Sequence, residues 1–226
     1  HAGWITAACG LASEAAGEPP HILLFPEVRF DETAFLAKVD ACVKEYGYCV
    51  VGVSEGIRNP DGSFVAETGL KDAFGHAQLG GVAPVVANLV KEKLGYKYHW
   101  AVADYLQRSA RHLASKTDTA QAFAVGKAAV RRALAGQPGV VGMKRLSDVP
   151  YRWRTNLLPF EAVANLERKL PPEFIAADGF GVTEAFRRWC RPLISGEDLP
   201  AFRDGLPDYL RLQLPLLPPA LAPPDS

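Results

Sequence analysis

Hydrophobic positions in the first part of the chain follow a helix, strand, helix, strand order. Small apolar residues at helical spacing run from Trp4 to Ala16 and stop at the Gly/Pro-rich residues 17–20, which predicts a helix. The apolar run HILLFPEV, residues 21–28, predicts a buried strand. A helical pattern returns over residues 31–46, and YCVVGV, residues 48–53, predicts a second buried strand.

Both predicted strands are continuously apolar rather than alternating. This pattern is typical of parallel strands that are covered by helices on both faces. The predicted fold class is therefore α/β, with three layers and a doubly wound, mainly parallel sheet. Residues 54–62 after the second strand are rich in turn formers, and loops at the carboxyl ends of parallel strands are where such folds bind ligands.

The remainder of the chain is predicted to be mixed. Helices are expected over Val82–Leu94 and Thr119–Leu134, and a third strand over Tyr98–Leu106. A short strand is expected at 139–143. Beyond it the pattern indicates helical pieces broken by prolines and an irregular, exposed tail, LPLLPPALAPPDS.

Composition narrows the function classes. Lys+Arg and Asp+Glu balance at 25 each among 226 residues, so nucleic acid is not an expected partner. No apolar run reaches the roughly 18 to 20 residues of a membrane helix, so no membrane association is expected. Four cysteines without CxxC spacing predict packed, reduced thiols and a cytoplasmic location: Cys9, Cys42, Cys49 and Cys190. Because the chain opens with His1 and has Met143 as its only methionine, a processed or truncated product is expected.

Three residues are candidates for ligand binding. Glu55 directly follows the second predicted strand, where a carboxylate can accept hydrogen bonds from sugar hydroxyls; a solvated loop acid is the equal alternative. Arg108 follows the predicted third strand, where a guanidinium can bind a phosphate with two hydrogen bonds, although a surface arginine is the commoner case. The Tyr105 hydroxyl can donate a hydrogen bond to the same phosphate.

Several basic residues and histidines accompany these candidates. Five residues near Arg108 form either a positive pocket mouth or a solvated edge: Lys97, His99, Arg111, His112 and Lys116. The solvated edge is the favoured interpretation for Arg111 and Lys116. His21 and His76 are interpreted as structural hydrogen-bonding residues. The five histidines show no metal-ligand spacing.

Successive blocks of the sequence resemble phosphofructokinases, in family order and over essentially the whole chain. These blocks are HAGWITAACGLA, PHILLFPEVRFD, GYCVVGVSEG, DAFGHAQLGG and KYHWAVADYLQRSARHLASKTD. The version AVADYLQRSARH is most similar to bacterial pyrophosphate-dependent enzymes. The resemblance implies that Glu55, Tyr105 and Arg108 hold fructose 6-phosphate. A further family arginine falls near His99, which is not an arginine here.

The resemblance also implies that this chain is the carboxy-terminal half of the enzyme. The substrate loop Met-Gly-Arg is expected directly before His1, and the donor loop, the catalytic aspartate and most Mg²⁺ ligands are expected in the other half, so no catalytic residue is assigned here. Three segments are expected: a sugar-phosphate domain (1–108), a return to the donor domain (109–148) and a helical extension packing on the first domain (149–226).

The implied reaction transfers a phosphoryl group from pyrophosphate to the 1-hydroxyl of fructose 6-phosphate, in a homodimer or homotetramer. An ATP-dependent enzyme, a non-catalytic regulatory subunit and a plain sugar-phosphate-binding module are the alternatives.

Overall fold

The first helices and strands occur in the predicted order. The computed structural model describes residues 2–71, 77–79 and 81–214, with side chains for all of these except 67–71, 77–79, 107 and 108. Helix α1 spans Trp4–Cys9 and continues as a 3-10 turn at Gly10–Ala12. Strand β1 is Ile22–Leu24, helix α2 is Glu32–Tyr46 and strand β2 is Val51–Val53. Both strands are shorter than predicted.

Strand β1 separates two hydrophobic clusters. It pairs with β2 in parallel, with Ile22 opposite Val51 and Leu24 opposite Val53. Ile22 and Leu24 face a first core, while Leu23 between them faces a second core, because successive side chains of a strand point to opposite faces. A Cβ atom at Gly52 would lie 2.8 Å from Leu23 Cδ2, so glycine lets Leu23 lie close against β2.

Helix α2 is fixed at both ends by the residues its sequence provides. The Asp31 carboxylate accepts a hydrogen bond from Ala34 N at 2.9 Å, which satisfies one of the free N–H groups at the helix start. Gly47 ends the helix with φ 82°, a left-handed conformation that favours glycine. Phe35 and Val39 on α2 point into the first core.

Two strands and three helices follow β2. Strands β3 (Glu67–Lys71) and β4 (Ala77–Leu79) pair antiparallel. Helix α3 spans Val82–Leu94, as predicted, and Val82 and Val86 complete the first core. A single turn, α4, covers Leu106–Ser109, and the long helix α5 covers Lys116–Leu134, three residues longer at its start than predicted.

The predicted strand at Tyr98–Leu106 is wrong. Residues 95–103 are irregular, and among the described residues no strand pairs with them. Trp100 and Val102 are more than half exposed, so the apolar pattern does not reflect burial in a sheet. The Tyr98 hydroxyl donates to Asn88 Oδ1 at 2.6 Å, which holds this segment against α3 instead.

An antiparallel hairpin occupies the region where helical pieces were predicted to begin. Strand β5 spans Val140–Asp148 and pairs with β6, Tyr151–Leu158. Helix α5 packs on this hairpin, where Gln121 Nε2 donates to the Tyr151 hydroxyl at 2.7 Å. The prediction of a short strand at 139–143 was correct in place, and its partner strand was missed.

The last described elements are helix α6, Glu184–Cys190, and the short antiparallel strands β7, Phe202–Arg203, and β8, Leu206–Pro207. Arg145 joins the hairpin to α6: its guanidinium lies 4.8 Å from the ring centroids of both Tyr151 and Trp189 and donates to Trp189 O at 2.7 Å. A stacked, hydrogen-bonded arginine of this kind fixes one element against another.

The second core joins the first elements of the chain to the segment around α6. It contains buried residues from α1, from the end of β1, and from the segment around α6: Ala7, Leu23, Phe25, Leu170, Phe186 and Cys190. Glu27 adds polar contacts between the same segments, since its Oε1 accepts hydrogen bonds from Gly3 N at 3.0 Å and from Leu170 N at 2.8 Å. Residues 170–190 therefore pack on the first part of the chain.

Helices cover both faces of β1, with α2 and α3 on one face and α1 and α6 on the other. In the described residues, however, the mainly parallel sheet is limited to the β1–β2 pair, and the other three strand pairs are antiparallel. Helices on both faces of a parallel pair fit the predicted α/β class, and the larger doubly wound sheet stays a prediction. No helix in the described part of the chain is both long and apolar enough to cross a bilayer.

Candidate functional site

Glu55 lies on a turn at the carboxyl ends of β1 and β2. Ser54 N donates to Leu24 O at 3.1 Å, and Ile57 N donates to Ser54 O at 3.3 Å, so the turn is tied to the end of β1 and closed on itself. Gly56 and Ile57 are buried, and Ile57 belongs to the first core. Glu55 is exposed between these anchored residues. A solvent-facing carboxylate on a fixed turn is suited to accept hydrogen bonds from a ligand.

The loop beyond Glu55 is held by its own side chains. The Arg58 guanidinium lies 3.8 Å from the centroid of the Phe64 ring and donates to Gly62 O at 2.8 Å. Asp61 accepts hydrogen bonds from the Ser63 hydroxyl and Ser63 N, and these bonds hold the pKa of the Asp61 carboxyl below its usual range. These contacts fix the conformation of the loop.

A small cavity of about 130 Å³ lies beside this edge of the strands. Its lining includes the end of β1, the start of α2 and residues 178–180, with Arg29, Asp31 and Asp178 as its charged members. Asp31 caps α2 and Asp178 pairs with Lys38, so both acids already have structural partners. Burial raises the pKa of Asp178, but hydrogen bonds from Lys38 and Phe180 N outweigh it and leave that pKa below its ordinary value.

Arg29 is a candidate that sequence analysis missed. It is exposed, follows β1, and forms a parallel bridge with Arg58 across the loop that continues from Glu55. The signal was its position just beyond the carboxyl end of a buried strand, the same criterion that selected Glu55.

Tyr105 and Arg108 lie on a helical turn rather than after a strand. Tyr105 immediately precedes α4, and its carbonyl accepts from Ser109 N and the Ser109 hydroxyl, both at 3.0 Å. Arg108 lies within α4, three residues further on, so the two positions are neighbours along one turn. The Tyr105 side chain is 71% exposed. Convergence of Glu55, Tyr105 and Arg108 on one ligand stays a prediction.

The basic residues near α4 divide into two groups. Arg111 donates to Asp198 Oδ2 at 2.6 Å and to Asp198 O, so its charge serves an ion pair. Hydrogen bonds from Thr119 and Arg111 lower the pKa of Asp198. The other four are exposed: Lys97, His99, His112 and Lys116. Arg111 is therefore a part-buried member of an ion pair, which differs from both the pocket mouth and the solvated edge considered for it.

His21 is a structural hydrogen-bonding residue, as predicted: Nδ1 accepts from Val50 N at 3.0 Å and Nε2 contacts Gly17 O at 3.1 Å. His76 falls outside the described residues. All four cysteines are free thiols. Burial, together with a hydrogen bond to the Cys42 thiol, raises the pKa of Cys49 to about 12. The fold brings Cys42, Cys49 and His21 together, which their spacing in the sequence did not indicate.

The described residues contain no cluster of oxygen ligands suited to Mg²⁺. The one group of three potential metal ligands that converges in this part of the chain is His21, Cys42 and Cys49. Mg²⁺ prefers carboxylate, phosphate and water oxygens, so this nitrogen and sulfur group does not fit it.

Comparison with known proteins identifies the family. The phosphofructokinase family model matches residues 1–133. The chain is 60% identical over 223 residues to "Pyrophosphate--fructose 6-phosphate 1-phosphotransferase" of Methylococcus capsulatus, covering 98% of this chain and 53% of that protein. The Halomonas elongata protein of the same name is 57% identical over 94% of this chain and 51% of its own length.

A solved structure supports the same family assignment. The pyrophosphate-dependent phosphofructokinase from Nitrosospira multiformis is 52% identical in sequence and superimposes with a TM-score of 0.83. The match covers 98% of this chain and 52% of that protein. The chain thus spans about half the length of the relatives it matches. With a family model across residues 1–133 and this structural likeness, the chain belongs to the phosphofructokinase family.

Proposed function

We propose that this chain is the carboxy-terminal, sugar-phosphate-binding half of a pyrophosphate-dependent phosphofructokinase. The whole enzyme transfers a phosphoryl group from pyrophosphate to the 1-hydroxyl of fructose 6-phosphate. The observation that carries this proposal is 60% identity to a protein named for that reaction, over 98% of this chain and about half of that protein.

Glu55, Tyr105 and Arg108 have distinct roles in this proposal. Glu55, fixed on its turn by Ser54 and Ile57, accepts hydrogen bonds from the sugar hydroxyls. Arg108 binds the 6-phosphate with charge-assisted hydrogen bonds, and the Tyr105 hydroxyl donates to the same group. The helical turn of α4 supports the last two roles, because it keeps positions 105 and 108 adjacent.

The donor site and the catalytic base belong to the other half in this proposal. Phosphoryl transfer depends mainly on positioning and on neutralising developing charge, so one half alone lacks most of the catalytic apparatus. The ligands of Mg²⁺ are likewise proposed to lie mainly in the other half. The intact enzyme is proposed to be a cytoplasmic homodimer or homotetramer.

The proposed segments can be refined. The packing of Leu170 and Phe186 on Ala7 and Phe25 supports an extension that returns to the first domain. The boundary at 148 falls at the turn of the β5–β6 hairpin, whose two strands are one unit. We therefore extend the middle segment to residue 158.

The direct test is an assay for fructose 1,6-bisphosphate with fructose 6-phosphate, Mg²⁺ and either pyrophosphate or ATP. A protein with both halves is expected to turn over with pyrophosphate, and this chain alone is expected to be inactive. Turnover by the chain alone would overturn the assignment of the missing half. Activity only with ATP would overturn the assignment of the donor.

Glu55→Gln in the two-half protein is expected to raise the KM for fructose 6-phosphate roughly 5- to 30-fold, because a neutral amide replaces a charged acceptor worth about 1 to 2 kcal/mol. Steady-state kinetics at saturating pyrophosphate provide the measurement. Glu92→Gln, an exposed glutamate on α3, is the matched control. Equal KM values for the two variants would show that Glu55 is a solvated loop acid.

The outer face of α5 gives an independent prediction. Gln121 is buried and Ala124, Val125 and Ala128 are partly buried, while Phe123 is 72% exposed and Val130 61% exposed. An apolar face without cover favours self-association. The isolated chain is therefore expected to exceed its monomer mass of 24.5 kDa in light scattering and to bind a hydrophobic dye.

The double variant Phe123→Glu, Val130→Glu is expected to restore the monomer and to lower dye fluorescence. Val149→Glu is the control, because Val149 is equally apolar and highly exposed but lies in the hairpin turn. A dye-silent wild-type monomer would instead favour a self-contained binding module.

A further inference from the structure

Three side chains with soft donor atoms meet near the amino ends of β1 and β2. His21 immediately precedes β1, Cys42 lies in α2, and Cys49 lies on the approach to β2. The crossover through α2 brings them together, and the potential ligand atoms of all three lie within 4.8 Å of one another. This cluster plays no part in the proposed sugar-phosphate site.

The cluster is shielded but reachable from solvent. Cys42 is buried, and Cys49 and His21 are partly buried. The imidazole stacks on Tyr46 at 5.5 Å between centroids and meets Tyr48 edge-on at 5.1 Å. Both tyrosines are exposed, so the cluster lies close to solvent on this side.

Both ring nitrogens of His21 have backbone partners. Nδ1 accepts a hydrogen bond from Val50 N at 3.0 Å, so a metal ion at this nitrogen has to replace that donor. The proton is then on Nε2, which donates to Gly17 O at 3.1 Å. Metal-binding histidines commonly donate their second N–H to a backbone carbonyl in this way.

We propose that His21, Cys42 and Cys49 bind a Zn²⁺ ion through one nitrogen and two sulfurs, with water as the fourth ligand. Thiolate and imidazole are the donors that Zn²⁺ prefers, and three protein ligands plus water form a common tetrahedral set. Bond lengths of about 2.3 Å to sulfur and about 2.0 Å to nitrogen place ligand atoms about 3.5 to 3.8 Å apart. The three side chains therefore need to close by about 1 Å.

Binding exchanges a small set of existing interactions. The two thiols release their protons to solvent, Cys42 gives up its hydrogen bond to Tyr48 O at 3.4 Å, and Nδ1 exchanges Val50 N–H for the ion. The ring turns Nδ1 away from Val50 N to reach the ion, with Gly17 O still available as the acceptor for Nε2.

The site is at the opposite edge of the parallel pair from Glu55. His21 and Cys49 precede their strands, and Glu55 follows β2. Three strand residues at about 3.3 Å each separate the two edges by about 10 Å. The proposal consequently does not depend on the proposed function, and its test needs no activity assay.

The test is titration of the chain, reduced and under nitrogen, with Co²⁺ and then Zn²⁺. One Co²⁺ per chain is expected to produce a sulfur-to-cobalt charge-transfer band that Zn²⁺ abolishes. Cys42→Ala and Cys49→Ala are each expected to weaken Zn²⁺ at least roughly 100-fold in a chelator competition, and His21→Gln to weaken it as well.

Cys9→Ser is the matched control, because this thiol on α1 lies outside the cluster, and it is expected to leave binding unchanged. Circular dichroism without metal establishes that Cys49→Ala and His21→Gln fold, which keeps the test valid if Cys42→Ala does not. Unchanged Zn²⁺ affinity in these folded variants, or no thiolate band, would overturn the proposal. A Cys42–Cys49 disulfide in the freshly isolated chain would also overturn it.

Discussion

Arg108→Ala in a protein with both halves is expected to lower kcat/KM for fructose 6-phosphate roughly 30- to 700-fold. The reason is loss of a charge-assisted phosphate contact worth about 2 to 4 kcal/mol. Initial rates over a range of fructose 6-phosphate concentrations measure the effect, which is expected mainly in KM if the arginine holds the phosphate equally in the ground and transition states.

Arg188→Ala provides the control for Arg108→Ala. Arg188 is an exposed arginine on α6, so its removal takes away the same charge without touching the proposed site. Kinetic constants for Arg108→Ala that match those of this control would show that Arg108 is only a surface charge and would remove it from the site.

Phe186→Ala is expected to lower the free energy of unfolding by about 3 to 5 kcal/mol, the usual cost of deleting a buried phenylalanine ring. Phe186 is fully buried in the second core, with its ring centroid 5.5 Å from that of Phe174 and 6.0 Å from that of Trp189. Urea unfolding followed by tryptophan fluorescence measures the change as a shift in midpoint at constant slope.

Phe123→Ala on the outer face of α5 is the control, because the same ring is removed from an exposed position, and it is expected to change stability by less than about 0.5 kcal/mol. Equal losses in the two variants would mean that the second core contributes no more than the surface.

Sequence reasoning worked best where local rules decide the structure. Helix α2 has Asp31 at its start and Gly47 at its end, and both signals are visible in the sequence. Helix α3 likewise ends at Gly95, and its predicted bounds were correct. Both helices also carry apolar residues at helical spacing that face one core, so propensity and packing favour the same structure.

The errors arose where a partner strand decides the structure. Tyr98–Leu106 has a strand-like composition, yet its apolar side chains are exposed and no described strand pairs with it. Conversely, β6 was missed although Arg152 and Arg154 are exposed while Tyr151 and Trp153 are partly buried. That alternation is the signal of a half-buried strand, and the prolines in this part of the chain were interpreted as breaks between helical pieces.

The candidate site was only partly predictable. The position of Glu55 at a strand end followed from local pattern alone, whereas Tyr105 and Arg108 were selected with a strand in mind and lie instead on α4. Arg29 met the same criterion as Glu55 and was missed. Residues 21, 42 and 49 meet only because β1 and β2 pair through α2, and sequence spacing carries no sign of such a contact.

The second core has a consequence for the order of folding. Its members lie near residues 7–25 and 170–190, and contacts such as Arg187 Nη1 to Ser13 O, at 2.6 Å, join positions 174 residues apart. Loop-closure entropy must be overcome before such distant contacts form, so they form late and slow the whole process. The first core needs only residues 22–86. During synthesis on the ribosome, one apolar side of α1 is therefore expected to stay uncovered until α6 has emerged.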